Sequence, residues 1–123
     1  MEKIDEKLTP IYQKLLNNSI FTEKQILVLL DYLVKKEVGS PISSGDQVTL
    51  FNKDKIVKGV YFRILNQAIS KFKKLIYSVM LLNYLDIIDV TSIDKITSQI
   101  MSSDDPEILD LIDKHIDKII KER

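Results

Sequence analysis

The chain contains no cysteine, which excludes disulfides and thiolate metal centres. Its one histidine, His115, cannot build a histidine cluster within one chain, so no metal or cofactor is expected. Glycine and proline number three each, leaving few interruptions and favouring long helices. A long hydrophobic run is also missing. The most apolar stretch, Leu75 to Ile88, holds Asn83 and Asp86 and falls short of the roughly 20 apolar residues that a membrane span needs; it is expected as a buried core helix. The opening residues, Met1-Glu2-Lys3-Ile4-Asp5-Glu6-Lys7, alternate charges where a secretory signal needs an apolar core, and a cytoplasmic location is expected by default.

What is present is the balance of a folded globular protein, 45% hydrophobic and 29% charged over 123 residues, with room for one domain, residues 1–123. Ile4, Leu8, Ile11, Tyr12, Leu15 and Leu16 recur at three- and four-residue spacing, predicting a first helix over about Lys3 to Asn17 that Pro10 delays or kinks. Thr22 with Gln25 forms a capping-box pattern that opens a second helix, and Gly39 stops it. Residues 39–52 hold two of the three glycines, a proline and three serines. The favoured reading there is a loop and then a short helix from about Asp46 to Asn52, capped by Ser43 or Ser44; the alternative makes Val48 to Phe51 a strand or hairpin arm.

From about Asp54 the apolar residues Ile56, Val57, Val60, Ile64, Leu65, Ala68, Phe72, Leu75, Ile76, Val79, Leu82 and Leu85 keep helical period, predicting one long helix or two in tandem. Thr91 with Asp94 repeats the capping pattern at the head of a short helix in 89–101. Asp105 as N-cap and Pro106 at the first helical position open a last helix with Ile108, Leu109, Leu111, Ile112, Ile116, Ile119 and Ile120 as its apolar face.

Net charge is zero, yet it is unevenly distributed. Lys53, Lys55, Lys58, Arg63, Lys71, Lys73 and Lys74 face the single acid Asp54 between positions 53 and 74, a net +6. Nine acids between Asp86 and Asp117 face Lys95 and Lys114, a net −7. A local positive field suits a phosphate backbone, because basic side chains release its condensed counterions. Lys53, Lys55 and Lys58 straddle a helix start, Gly59 lets the backbone come close to a partner, and Tyr61, Phe62, Arg63, Asn66 and Gln67 follow in the first turns. Arg, Asn and Gln are the side chains suited to reading base edges.

Phe21-Thr22-Glu23-Lys24-Gln25-Ile26-Leu27-Val28-Leu29-Leu30 resembles the opening helix of DNA-binding domains related to region 4 of bacterial sigma factors. Val57-Lys58-Gly59-Val60-Tyr61-Phe62-Arg63-Ile64-Leu65-Asn66-Gln67-Ala68 is similar to the recognition helix of small archaeal helix-turn-helix proteins of that type, which a long apolar helix follows, as Ile76 to Ile88 does here. The resemblance spans residues 21–88. It implies an all-α fold with a helix-turn-helix core, a long central helix and a C-terminal helical extension over 89–123, and a transcriptional regulator or chromatin-associated protein bound to double-stranded DNA.

On this reading Lys53, Lys55, Lys58, Lys71, Lys73 and Lys74 contact phosphates while Arg63, Asn66 and Gln67, with Tyr61 beside them, approach bases. The apolar Leu75 to Ile88 run and the last helix offer more surface than one small domain covers, so a homodimer is expected, its two recognition helices about 34–36 Å apart. The competing reading is a helical protein-interaction module, a partner of the transcription or division machinery through its acidic C-terminal half. Tyr77 and Tyr84, seven apart, are expected as packing residues, and His115 as a solvated helix residue. Asp110, Asp113 and Asp117 are spaced to pair with Lys114, Lys118 and Lys121. No phosphate loop, activated nucleophile or carboxylate pair in an apolar setting is legible, and no catalysis is expected.

Overall fold

The computed structural model describes residues 10–102 and 107–120. Among them five helices and one two-stranded sheet follow in the order α1 (Pro10–Asn17), α2 (Glu23–Val38), β1 (Gln47–Thr49), β2 (Lys55–Val57), α3 (Lys58–Tyr84), α4 (Val90–Ser102) and α5 (Ile108–Asp117). The fold is mainly helical. The part of the first expected helix before Pro10, the Asp105 cap and the Pro106 start lie outside the described residues.

The ends of α2 follow from local chemistry. Thr22 Oγ1 accepts from the Gln25 amide at 3.2 Å and Gln25 Oε1 accepts from the Thr22 amide at 3.1 Å, so two otherwise orphaned donors are satisfied reciprocally. At the other end Gly39 turns left-handed (φ 71°), and the amides of Gly39 and Ser40 return to the carbonyls of Lys36 and Lys35 at 3.3 and 2.9 Å.

The short helix expected over 46–52 is not formed; a β-hairpin stands there. β1 and β2 run antiparallel with Val48 opposite Ile56. Val48 is 0% exposed and Leu50 3%, and this explains the outcome. Residues two apart lie on one face of an extended chain but roughly 200° apart around a helix, so only the strand buries both. The turn closes with the Lys53 amide on the Leu50 carbonyl at 2.9 Å and Lys53 left-handed at φ 69°, a turn followed by a left-handed residue as in common hairpin connections. Asn52 Oδ1 accepts from the Asp54 amide at 3.1 Å and braces it.

α3 is one helix of 27 residues. It starts at Lys58, so Ile56 and Val57, counted above in its apolar stripe, belong to β2 instead. Tyr61, Leu65 and Ala68, at helical spacing, face inward, where Tyr61 and Leu65 close the core with Val28, Val48 and Leu50. The two long helices run antiparallel, with Tyr61 beside Asp31 and Lys71 beside Gln25 and Ile20. At Lys71 α2 has come to its first turn, and beyond it α3 overhangs. The expectation of a buried core helix over Leu75 to Ile88 is corrected accordingly: Leu75, Ile76, Tyr77, Met80, Leu81 and Tyr84 are all exposed.

α3 ends at a left-handed Asp86 (φ 59°), with the Asp86 and Ile87 amides returning to Asn83 and Leu82 at 3.0 and 2.9 Å. The cap of α4 is Asp89, not Thr91: the Thr91 amide and hydroxyl both donate to Asp89 Oδ1, at 3.0 and 2.6 Å. α4 and α5 pack together, with Ile100 and Ile112 buried, and Ile88 bridges Ile120. Asp113, expected to pair with a lysine of its own helix, instead meets Lys14 of α1 at 3.1 Å.

Candidate nucleic-acid interface

With the side chains of a helix spaced by about 100°, burying Tyr61, Leu65 and Ala68 forces Gly59, Arg63, Asn66, Gln67, Ser70, Lys73 and Lys74 onto the opposite side. All seven are exposed. Gly59, Arg63, Asn66, Gln67 and Ser70 line one shallow open groove of about 710 Å³ together with Phe62, Lys71 and, from α2, Gln25. The three side chains selected for base contact therefore share one surface.

Below that surface a polar network fixes how α3 lies. The Tyr61 hydroxyl donates to Asp31 Oδ2 at 3.0 Å, and Lys35 Nζ sits 2.8 Å from the same oxygen. Lys35 also donates to the carbonyls of Ile42 and Thr49 at 3.1 and 3.0 Å, so α2, the hairpin and α3 meet at one carboxylate. Burial, then the hydrogen bond to Asp31 and its negative charge, push the Tyr61 phenol far above its ordinary range.

Two of the ten candidate residues are corrected by this geometry. Tyr61 is 0% exposed and is committed to Asp31, so it is a core residue and not a contact residue. Lys71 is half-buried, its Nζ donating to the Ile20 carbonyl at 2.8 Å and to Gln25 Oε1 at 2.9 Å; it ties α3 to the head of α2. Lys53, Lys55, Lys58, Arg63, Asn66, Gln67, Lys73 and Lys74 are exposed. The one acid of the basic segment, Asp54, lies 3.8 Å from Lys24 of α2, which offsets its charge. Val57 offers no side-chain cap to the first turn of α3, beside Lys55 and Lys58.

Phe62 is half-buried and meets the Tyr61 ring edge-on at 5.3 Å. Tyr77 and Tyr84, expected as packing residues, are exposed within this chain. His115, expected in solvent, is half-buried and lines a small cleft with Ser92, Lys95 and Gln99 of α4.

Asp31, Lys35 and Gln25 hold this site together without having stood out as site residues in the sequence. A signal was present: Asp31 interrupts the apolar run Ile26 to Val34, and an acid placed there with Lys35 four residues on marks a satisfied buried charge. Among the described residues no three His, Asp or Glu side chains gather as a metal site, and no helix is long and apolar enough to cross a membrane. No known protein family, curated protein or solved structure matches this chain.

Proposed function

We propose that this chain binds duplex DNA through the outer face of α3, from Gly59 to Lys74, and serves as a transcriptional regulator or chromatin-associated protein. The observation that carries the reading is the joint placement of Arg63, Asn66 and Gln67 along one open groove, with exposed lysines at both ends of the face. A helix of ordinary diameter enters the major groove, roughly 12 Å wide, and only its outward side chains meet base edges. Here the outward side chains are a guanidinium, two amides and a hydroxyl. Lys53, Lys55 and Lys58 flank one end of this face and Lys73 and Lys74 the other, positions suited to the phosphates on either side.

In this reading α2 and α3 take the places of the opening and recognition helices of the family that the sequence resembles, while the hairpin stands where that family has its middle helix. The protein acts as a homodimer. Titration of a fluorescently labelled mixed-sequence duplex tests the proposal, with a second duplex methylated at guanine N7 to block the major groove. Binding that weakens on the methylated duplex supports it. Failure to bind either duplex, or equal binding to both with Arg63→Glu also without effect, overturns it.

A further inference from the structure

Gln25, on the first turn of α2, is 7% exposed and brings that helix to the groove along α3. The direction of its amide is fixed. Oε1 accepts from the Thr22 amide at 3.1 Å and from Lys71 Nζ at 2.9 Å, and only the oxygen of an amide takes two donors. Nε2 therefore occupies the other arm of the fork, and among the described residues it donates to nothing. No buried side-chain nitrogen or oxygen among those residues lacks a partner, so Nε2 is open to the surface, and the surface that Gln25 lines is the groove. A largely buried amide with its acceptor locked and its donor left for an outside acceptor is a preformed binding group, whose ordering costs little when a partner arrives.

We propose that Gln25 Nε2 donates to a backbone phosphate of the duplex, beside the base contacts of Arg63, Asn66 and Gln67; the proposal rests on the DNA reading above. Its place in the fold selects a phosphate over a base. Val28 packs α2 against Tyr61 and Leu65 on the inner side of α3, so a side chain of α2 is set back from those that go deepest. A helix in the major groove meets base edges with its outermost side chains, and the sugar-phosphate wall borders it farther back. The first turn of α2 also carries the positive end of that helix, which favours an anion. Glu23, the acid of that turn, stands two residues earlier and so roughly 200° around α2 from Gln25, on another side of the helix. The Lys71 ammonium on Oε1 polarises the amide and makes Nε2 a stronger donor. Being neutral, the amide releases no counterion, so this contact adds affinity without steepening the salt dependence.

Gln25→Glu separates the contact from the fold. Glutamate keeps the oxygen that Thr22 and Lys71 hold, so the capping box and the tie to α3 persist, while Nε2 gives way to an oxygen that repels phosphate. The urea midpoint should match or exceed that of the wild type. Affinity for a mixed-sequence duplex should fall about tenfold or more, as for a lost hydrogen bond to a charged group. Glu23→Gln added in the same chain restores the charge of this turn but not the donor, and it should not recover the affinity.

Heteronuclear NMR reads the contact on the wild-type chain. The Gln25 side-chain amide protons, identified by their loss in Gln25→Glu, should shift on saturation with the duplex and equally with the duplex methylated at guanine N7, whose phosphates are unaltered. Unchanged affinity in Gln25→Glu, recovery on adding Glu23→Gln, or Gln25 protons that stay in place while the Arg63 and Asn66 amides shift overturns the proposal and leaves the DNA reading standing. A Gln25 shift on the unmethylated duplex alone assigns a base contact and also overturns it. If no resonance shifts on either duplex, the DNA reading fails and the proposal fails with it.

Discussion

The Tyr61 hydroxyl donates to Asp31 Oδ2 at 3.0 Å, in the interior, where Lys35 holds the same oxygen at 2.8 Å. Asp31 is 1% exposed, so its charge depends wholly on these partners. Asp31→Ala leaves the Lys35 ammonium facing two carbonyls with no counter-charge, and a loss of about 3 kcal/mol is expected from breaking a buried pair on one side. Tyr61→Phe keeps the ion pair and should lose about 1–2 kcal/mol. Urea denaturation midpoints check both.

Alkaline pH should act through the same pair. The Tyr61 phenol is raised in the fold above its ordinary 10.0, so the neutral form is the one the fold favours. Its contribution is complete below about pH 10 and declines above it, as the unfolded chain sheds a proton that the folded chain retains. Absorbance of tyrosinate during a pH titration should show one of the five tyrosines ionising only as helicity is lost. Tyr61→Phe should abolish that coupled step.

The glycines make a contrasting pair. Gly39 is left-handed at φ 71°, and Gly39→Ala should cost about 1–2 kcal/mol for forcing a Cβ into that conformation. Gly59 lies in helical backbone with open space where a Cβ would sit, so Gly59→Ala should stabilise the protein by about 0.5–1 kcal/mol. If DNA lies along the groove that Gly59 lines, the same change should lower affinity while thermal stability rises.

Lys71 and Lys74, three residues apart, should behave differently. Lys71 is bonded to Ile20 and Gln25 and half-buried, whereas Lys74 is exposed. Lys71→Ala should chiefly lower stability, by about 1–2 kcal/mol for a hydrogen-bonded charge. Lys74→Ala should leave the denaturation midpoint nearly unchanged and flatten the salt dependence of DNA binding.

Much of the helical frame was legible because its cues are local. Thr22, Gln25 and Gly39 mark both ends of α2 by side-chain and backbone chemistry that needs no distant partner. The hairpin was harder to see, because Val48 and Leu50 gain burial only once α2 and α3 are in place around them, and turn residues at 39–46 are compatible with either outcome. The candidate face was legible for Arg63, Asn66 and Gln67, whose spacing alone puts them together opposite a core stripe. It failed for Tyr61 and Lys71, since both are drawn inward by residues some thirty to fifty positions away, Asp31, Gln25 and Ile20. For the distal half of α3 the sequence showed an apolar excess over what one small domain covers, but not that the helix itself stands exposed: apolar periodicity gives the face to be covered and not what covers it.

The most direct measurement is the affinity for a duplex as salt rises from about 50 to 200 mM, plotted as log Kobs against log salt, where each neutralised phosphate contributes a slope of about −0.9. With Lys53, Lys55, Lys58, Lys73 and Lys74 on the phosphates each protomer should contribute a slope of about −4 to −5, so a dimer bound through both copies should give about −9, and Lys58→Glu with Arg63→Glu should lower affinity at every salt concentration. A flat plot, or unchanged affinity in that double variant, would contradict a DNA-binding face on α3.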